Sequence, residues 1–224
     1  MSVLSRCFWP PGPIYTRKII APECGPRDPY IARSMTGDSA HGDEPRFRVA
    51  GPADAQAVAQ LHADSWRRHY RGAYSDTFLD GDVLADRLAV WTDRLREPDP
   101  RRCTILAEHD SLLGFANTVF DEDPTWGALL DNLHVANGHR RQGIGRRLLT
   151  LTVEAVLARP QQTALYLWVL EQNRDAQDFY EACGAIRVER DLVEPPGGIA
   201  DRITGTPAKL RYVWPQPVAL LGAP

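Results

Sequence analysis

The stretch Leu129–Leu149, LLDNLHVANGHRRQGIGRRLL, decides the fold of this chain. Its first seven residues alternate as in a β-strand, which places Asp131 and Leu133 on one face and His134 on the other. The polar, glycine-containing run that follows cannot continue an apolar strand. Apolar residues then recur at helical spacing from Ile144 onward, so the stretch predicts a strand, a loop and the start of a helix.

Two glycines, Gly143 and Gly145, lie where the predicted loop meets the predicted helix. The first turn of a helix leaves backbone N–H groups without partners and carries a partial positive charge, and glycine lets a ligand approach that backbone closely. Four arginines add fixed charge around this turn: Arg140, Arg141, Arg146 and Arg147. These features predict a site for a phosphate or pyrophosphate group, with an ordinary solvated turn as the alternative.

Two known phosphate-binding loops do not fit this stretch. The sequence contains no G-x-x-x-x-G-K-[ST] segment. The segment Gly143-Ile-Gly145-Arg-Arg-Leu148 lacks the third glycine of the dinucleotide-binding fingerprint. We therefore expect neither a P-loop nor a Rossmann-type dinucleotide site.

The segment Arg140-Arg-Gln-Gly143-Ile-Gly145 resembles the [QR]-x-x-G-x-[GA] acyl-CoA loop of the GNAT superfamily of N-acetyltransferases. Two later segments resemble the strand and the helix that follow this loop in the superfamily: Leu167–Asn173 (LWVLEQN) and Ala176–Gly184 (AQDFYEACG). The order and spacing of these segments are more specific than the loop alone. The clear part of the resemblance covers about residues 129–190, and a looser likeness runs from about residue 46 to the end.

The pattern along the chain is compatible with the fold that this resemblance implies. The apolar stretch Ala164–Leu170 predicts a strand covered on both faces, which forms a right-handed βαβ unit with the preceding strand and helix. The resemblance implies the α/β (α+β) acyl-CoA N-acyltransferase fold. This fold is a single mixed, mostly antiparallel seven-stranded sheet with a central splayed parallel strand pair and helices on both faces, in the order β-αα-βββ-α-β-α-ββ.

We expect three parts along the chain. Residues 1–45 are rich in proline and glycine and predict an N-terminal arm or extension, with an ordered arm packed on the domain or on a partner as the alternative. Residues 46–216 are expected to form the N-acetyltransferase domain. Residues 217–224 are expected to be a C-terminal tail.

The resemblance implies that acetyl-CoA binds as co-substrate between the two splayed strands, without a metal. The pantetheine amides would bond to the backbone near Leu133–Val135, and the pyrophosphate would lie on the N–H groups of residues 141–146. Asn173 would bond the coenzyme, cap the next helix, or do both. The full predicted coenzyme set is Leu133, His134, Val135, Arg140, Arg141, Gln142, Gly143, Ile144, Gly145, Arg146, Asn173 and Tyr180.

The resemblance also suggests catalytic residues. Tyr180 matches the family tyrosine that protonates the leaving thiolate; the alternative is a packing aromatic beside Phe179. Asp131 is the candidate general base, acting directly or through water, and a structural carboxylate is the alternative. His134 ranks lower because it is expected on the opposite face. Trp168 stands where some relatives carry glutamate, so the chain departs from the family at that position.

The acceptor is expected to lie against the helical region of residues 62–82, where the candidate contacts are Trp66, Tyr70 and Tyr74. The alternative is that Trp66 and Tyr70 belong to the core. The predicted reaction is transfer of the acetyl group of acetyl-CoA to a primary amine of a small molecule or peptide, by direct attack in a ternary complex. A non-catalytic acyl-CoA-binding or regulatory module on the same fold is the alternative function.

The composition of the chain argues against several other classes of protein and site. The 224 residues carry a net charge of −3, which gives no broad attraction to nucleic acid. No apolar run approaches the ~18 residues of a membrane span, and the N-terminus lacks the apolar region of a secretory signal. The four cysteines are scattered without a C-x-x-C pair, so no zinc site is expected. We expect a cytoplasmic protein, with a homodimer as a further prediction.

Overall fold

The computed structural model describes residues 44–159 and 164–222. These residues contain seven strands and five α-helices. The strands are β1 (Arg46–Val49), β2 (Arg102–Glu108), β3 (Leu112–Asp123), β4 (Gly127–Val135), β5 (Leu165–Leu170), β6 (Ile186–Leu192) and β7 (Ala208–Trp214). The helices are α1 (Ala55–His69), α2 (Asp76–Asp80), α3 (Val83–Leu95), α4 (Ile144–Leu157) and α5 (Arg174–Ala182).

The strands form one sheet in the order β1-β2-β3-β4-β5-β7-β6. Every neighbouring pair is antiparallel except β4 and β5, which are parallel. This central pair is joined only at its start, where Ala128 faces Leu165 and Leu129 faces Tyr166. From Leu130 onward the described residues of β4 have no strand partner on the β5 side, so the two strands diverge.

Helices cover both faces of the sheet. Ile105 and Leu106 are neighbours on β2, yet Ile105 packs in the cluster that contains Leu148 of α4, and Leu106 packs in the cluster that contains Trp91 of α3. Because adjacent side chains of a strand point to opposite faces, α4 and α5 cover one face and α1 and α3 cover the other. The predicted fold class is confirmed.

A β-bulge interrupts β4 and corrects one sequence-based expectation. Asn132 pairs with Asn117 of β3 and Leu130 pairs with Thr118, so Asp131 is an extra residue between two regular pairs. The bulge breaks the strict alternation that placed Asp131 on the face of Leu133. That assignment is wrong: Asp131 bonds to Arg94 of α3, whereas Leu133 packs against the cluster under α4.

The helical region before β2 contains one helix more than the sequence pattern predicted. The five-residue helix α2 is capped at Ser75, whose Oγ accepts a hydrogen bond from the Phe78 backbone at 3.4 Å. It buries Phe78 and Leu79.

The predicted tail at the C-terminal end packs on the domain. At the C-terminal end, the chain forms a 3-10 helix over Pro217–Leu221, and Leu220 packs into the main core cluster. Packing therefore extends past the predicted boundary at residue 216. The prediction of an N-terminal arm falls on residues 1–45, nearly all of which lie outside the described residues.

Candidate active site

A cleft of about 740 Å3 opens where β4 and β5 diverge. Four elements line it: the end of α1, the second half of β4 with the loop that follows, the end of β5, and the start of α5. Because the parallel strands stop pairing at this point, the backbone polar groups of β4 that face β5 are available to a ligand. An extended molecule with amide groups could pair there as an additional strand.

The loop between β4 and α4 has the geometry of an anion site. Gly143 has a left-handed backbone with φ of 81°, and Arg141 also has a positive φ of 64°. The backbone N–H groups from Arg141 to Gly145 have no acceptor among the described residues. Ile144 anchors the helix start in the core at 3% exposure. The loop therefore presents unpartnered donors and the positive end of the α4 dipole beside the cleft.

Glycine at 145 is not required by packing within the protein. A Cβ added there would lie 3.6 Å from both Phe179 and Val135, which is ordinary contact. At Gly143 a Cβ would meet no atom within 4 Å, but the left-handed backbone would be strained by a side chain. The backbone conformation is therefore the constraint at Gly143.

The predicted coenzyme residues fall into two groups. Those that line the cleft are Leu133, His134, Val135, Arg140, Arg141, Gly143, Gly145, Arg146, Asn173 and Tyr180. Two others have side chains directed elsewhere: Ile144 lies in the core, and the Gln142 amide contacts His139 at 3.4 Å. Arg140 forms an ion pair of 3.2 Å with Asp175 of α5, which links the loop to the opposite wall.

Helix α5 places Asn173 and Tyr180 beside the cleft. The Asn173 side chain accepts a hydrogen bond from the Ala176 backbone at 3.3 Å, so it caps this helix as one of its predicted roles requires. Tyr180 is 8% exposed, and its ring packs edge-on against Trp214. Burial raises the pKa of the Tyr180 phenol, which keeps its proton in place at neutral pH.

Asp131 lines the cleft but is already ion-paired. Its carboxylate accepts a hydrogen bond of 2.7 Å from the guanidinium of Arg94, and both side chains are about a quarter exposed. If the Asp131 carboxylate accepted a proton, it would lose the negative charge that pairs with Arg94. This contact supports the structural alternative for Asp131 and makes water the simpler proton acceptor.

A buried group of polar rings lies behind the cleft. His134 Nδ1 is 2.8 Å from Ser65 Oγ, and its ring centre is 4.7 Å from that of His62. Trp91 Nε1 donates a hydrogen bond of 2.9 Å to His62 Nδ1. Burial, with His69 nearby, lowers the pKa of His134 to about 4, so this histidine is neutral at neutral pH. Sequence reasoning missed Ser65, which lines the cleft together with His69, because Ser65 lies in no recognisable motif.

The three predicted acceptor residues form one aromatic cluster. Trp66 stacks on Tyr70 with ring centres 5.2 Å apart, and Tyr74 lies 5.0 Å from both rings. Tyr70 lines the cleft, whereas Trp66 and Tyr74 are each 8% exposed and pack in a hydrophobic cluster with Phe78. Tyr70 therefore has the position that acceptor contact requires, and the other two hold it in place.

The described residues contain no group of three or more histidine, cysteine, aspartate or glutamate side chains that could hold a metal ion. Within the same residues, no helix combines the length and the apolar character needed to cross a membrane.

The model of the acetyltransferase (GNAT) family matches residues 58–185, which is more than half of the chain. The chain belongs to the GNAT family of acetyltransferases. The prediction of an acyltransferase is thereby confirmed, and the matched residues contain every cleft-lining residue named above.

Individual relatives agree with this membership. The chain is 27% identical over 154 residues to the uncharacterized N-acetyltransferase YuaI of Bacillus subtilis, covering 67% of this chain and 85% of that protein. It is 29% identical over 142 residues to the probable N-acetyltransferase Rv2775 of Mycobacterium tuberculosis, covering 61% and 76%.

A solved structure shows the same GNAT fold. The PaiA N-acetyltransferase from Thermoplasma acidophilum, in complex with coenzyme A, matches with a TM-score of 0.53 at 18% identity. The match covers 76% of this chain and 99% of that chain.

Proposed function

We propose that this GNAT protein transfers the acetyl group of acetyl-CoA to a primary amine of a small molecule or peptide by direct attack in a ternary complex. The observation that carries the proposal is the divergence of β4 from β5 beside a loop of unpartnered backbone N–H groups. That arrangement offers an edge for the pantetheine amides and an anion site for the pyrophosphate within one cleft.

The residue roles follow from this arrangement. Pantetheine would pair with the backbone of Leu133–Val135, whose other edge already pairs with β3. The pyrophosphate would accept hydrogen bonds from the backbone at Arg141–Arg146, with Arg140 adding charge at the mouth of the cleft. The side chains of Gln142 and Ile144 contribute less than their backbone, because neither lines the cleft.

The transfer itself forms a C–N bond and breaks the thioester C–S bond. The neutral amine attacks the acetyl carbonyl carbon, and the sulfur leaves as a thiolate that takes a proton from the Tyr180 hydroxyl. The new ammonium loses its proton to water or to Asp131. The ion pair between Asp131 and Arg94 favours water in this role. An aligned general acid contributes about a hundredfold or more to such a step.

An assay of thiol release from acetyl-CoA with a panel of primary amines tests the proposal. We expect acetyl-CoA to bind and at least one amine to release free coenzyme A, with the acetylated amine detected by mass spectrometry. Binding without release for any amine, including peptide N-termini, would favour a non-catalytic acyl-CoA-binding module. No binding at all would refute both functions.

We further propose, from the sequence alone, that the protein is cytoplasmic, forms a homodimer and has no nucleic-acid partner. Sedimentation or light-scattering measurement of the molecular mass gives the oligomeric state directly.

A further inference from the structure

We infer that the acceptor is a monoamine with a flat apolar group close to its amine, that is, an arylalkylamine, rather than a polyamine or an aminoglycoside. This inference rests on the proposed function and names its substrate class. Three features of the acceptor end of the cleft lead to it: a stack of rings that ends at the cleft, an aromatic residue on the opposite wall, and carboxylates that are already ion-paired.

The ring stack runs from α3 to the cleft. The Arg87 guanidinium lies 4.2 Å from the centre of the Trp66 ring, and Trp66 stacks on Tyr70 with an interplanar angle of 25°. Tyr70 is the member of this stack that lines the cleft. Because Trp66 and Tyr74 hold the Tyr70 ring from inside the protein, a planar ligand can pack on it without first ordering it.

The opposite wall also presents an aromatic residue. Trp168 of β5 lines the cleft and is partly exposed. Its indole ring is fixed by two cations, with Lys209 Nζ at 4.7 Å and the Arg211 guanidinium at 4.5 Å from the ring centre. Tyr70 and Trp168 thus bring aromatic side chains from both α1 and β5 to the lining of one cleft.

The charges of the cleft disfavour a second ammonium group. The carboxylate of Asp131 is paired with Arg94 at 2.7 Å, and that of Asp175 with Arg140 at 3.2 Å. The third carboxylate that lines the cleft, Asp178, is exposed on α5. A second ammonium group could therefore bind Asp131 or Asp175 only by displacing an arginine from its ion pair.

Both arginines beside the acceptor end are already ion-paired. Arg94 pairs with Asp131 at 2.7 Å, and Arg87 pairs with Asp86 at 2.5 Å. A ligand with several ammonium groups would have to break an existing ion pair to gain a carboxylate partner there. A single amine that binds in its neutral form avoids this cost.

The test compares matched amines in the thiol-release assay with the full chain. Phenethylamine, propylamine, spermidine and kanamycin are assayed for kcat/KM. We expect kcat/KM for phenethylamine to exceed that for spermidine and for kanamycin by up to about tenfold, which is the contribution of one well-placed aromatic contact. A preference for spermidine or kanamycin would overturn the inference while leaving the proposed function intact.

Two substitutions at Tyr70 distinguish the loss of an aromatic contact with the substrate from a general loss of activity. Tyr70→Leu should lower kcat/KM for phenethylamine about five- to tenfold more than it lowers kcat/KM for propylamine, while acetyl-CoA still binds. Tyr70→Phe keeps the ring and should restore kcat/KM for phenethylamine. Equal losses for phenethylamine and propylamine would contradict the inference. Absence of thiol release with every amine would instead refute the proposed function, and the inference with it.

Discussion

Tyr180 is the single side chain on which the proposed chemistry depends most. Tyr180→Phe removes the hydroxyl and keeps the ring that packs against Trp214. We expect kcat to fall about a hundredfold or more with little change in acetyl-CoA affinity, because the hydroxyl acts on the leaving thiolate. Tyr212→Phe is the matched control: its hydroxyl bonds Glu181 at 2.6 Å and does not line the cleft. An unchanged kcat in Tyr180→Phe would remove this residue from the mechanism.

His134 gives a prediction about stability and pH. Its folded-state pKa of about 4 lies below the ordinary value of 6.5, so between these values the unfolded chain binds a proton that the folded chain does not. The free energy of unfolding should therefore decrease as the pH falls through this window. Thermal unfolding at about pH 7 and about pH 5 should show a smaller decrease for His134→Gln than for the native chain.

The matched control for this experiment is His139→Gln, which changes a histidine on the loop after β4. It should retain the full decrease between the two pH values. A decrease of the same size in His134→Gln would show that His134 is not held neutral in the folded protein.

At the scale of single residues, sequence reasoning identified the types of side chain better than their directions. The resemblance to the GNAT superfamily predicts Tyr180, Asn173 and Tyr70 beside the cleft, and all three line it. Asp131 was assigned to the wrong face because a β-bulge depends on the register with β3, which alternation within β4 cannot reveal. Its partner Arg94 lies 37 residues earlier on α3 and gives no local signal.

At the scale of an element, acetyl-CoA affinity is expected to depend on the backbone conformation of the loop between β4 and α4. Gly143→Val places a β-branched residue at a φ of 81°, which costs about 1–3 kcal/mol or distorts the loop. We expect acetyl-CoA affinity to fall at least about tenfold, measured by equilibrium binding. Arg141→Ala should weaken binding less, because the proposed contacts are backbone N–H groups.

Gly138→Ala is the matched control within the same loop. A Cβ there would meet no atom within 4 Å, and the backbone has no positive φ. Its affinity for acetyl-CoA should equal that of the native chain. Equal losses in Gly143→Val and Arg141→Ala would show that charge, not backbone geometry, determines binding.

The sequence predicts the elements that have a clear hydrophobic pattern, but it does not predict the short helix α2. The strand, loop and helix of residues 129–149 are predictable because hydrophobic period and glycine position agree there, and β5 is predictable because it is a continuous apolar run. Helix α2 was missed because five residues are too few for a helical period to be visible. The distance over which β4 and β5 stay paired is a property of the whole sheet, and only the resemblance pointed to it.

At the scale of the molecule, the residues proposed to act on the coenzyme and the residue proposed to contact the acceptor come from opposite faces of one sheet. Helices α4 and α5 bring the loop and Tyr180 from one face, and α1 brings Tyr70 from the other. The gap between β4 and β5 joins these faces, so coenzyme and acceptor could meet without a large rearrangement. The cleft combines residues of α1, β4, β5 and α5, which are far apart in the sequence, so composition and local pattern could not specify the acceptor.

Isothermal titration of the full chain with coenzyme A tests the central claim most directly, because the claim is that the loop after β4 binds the pyrophosphate. We predict a saturable heat at one coenzyme A per chain, lost or greatly weakened in Gly143→Val and retained in Gly138→Ala. No heat with the folded native chain, or the same affinity in all three proteins, would contradict the account.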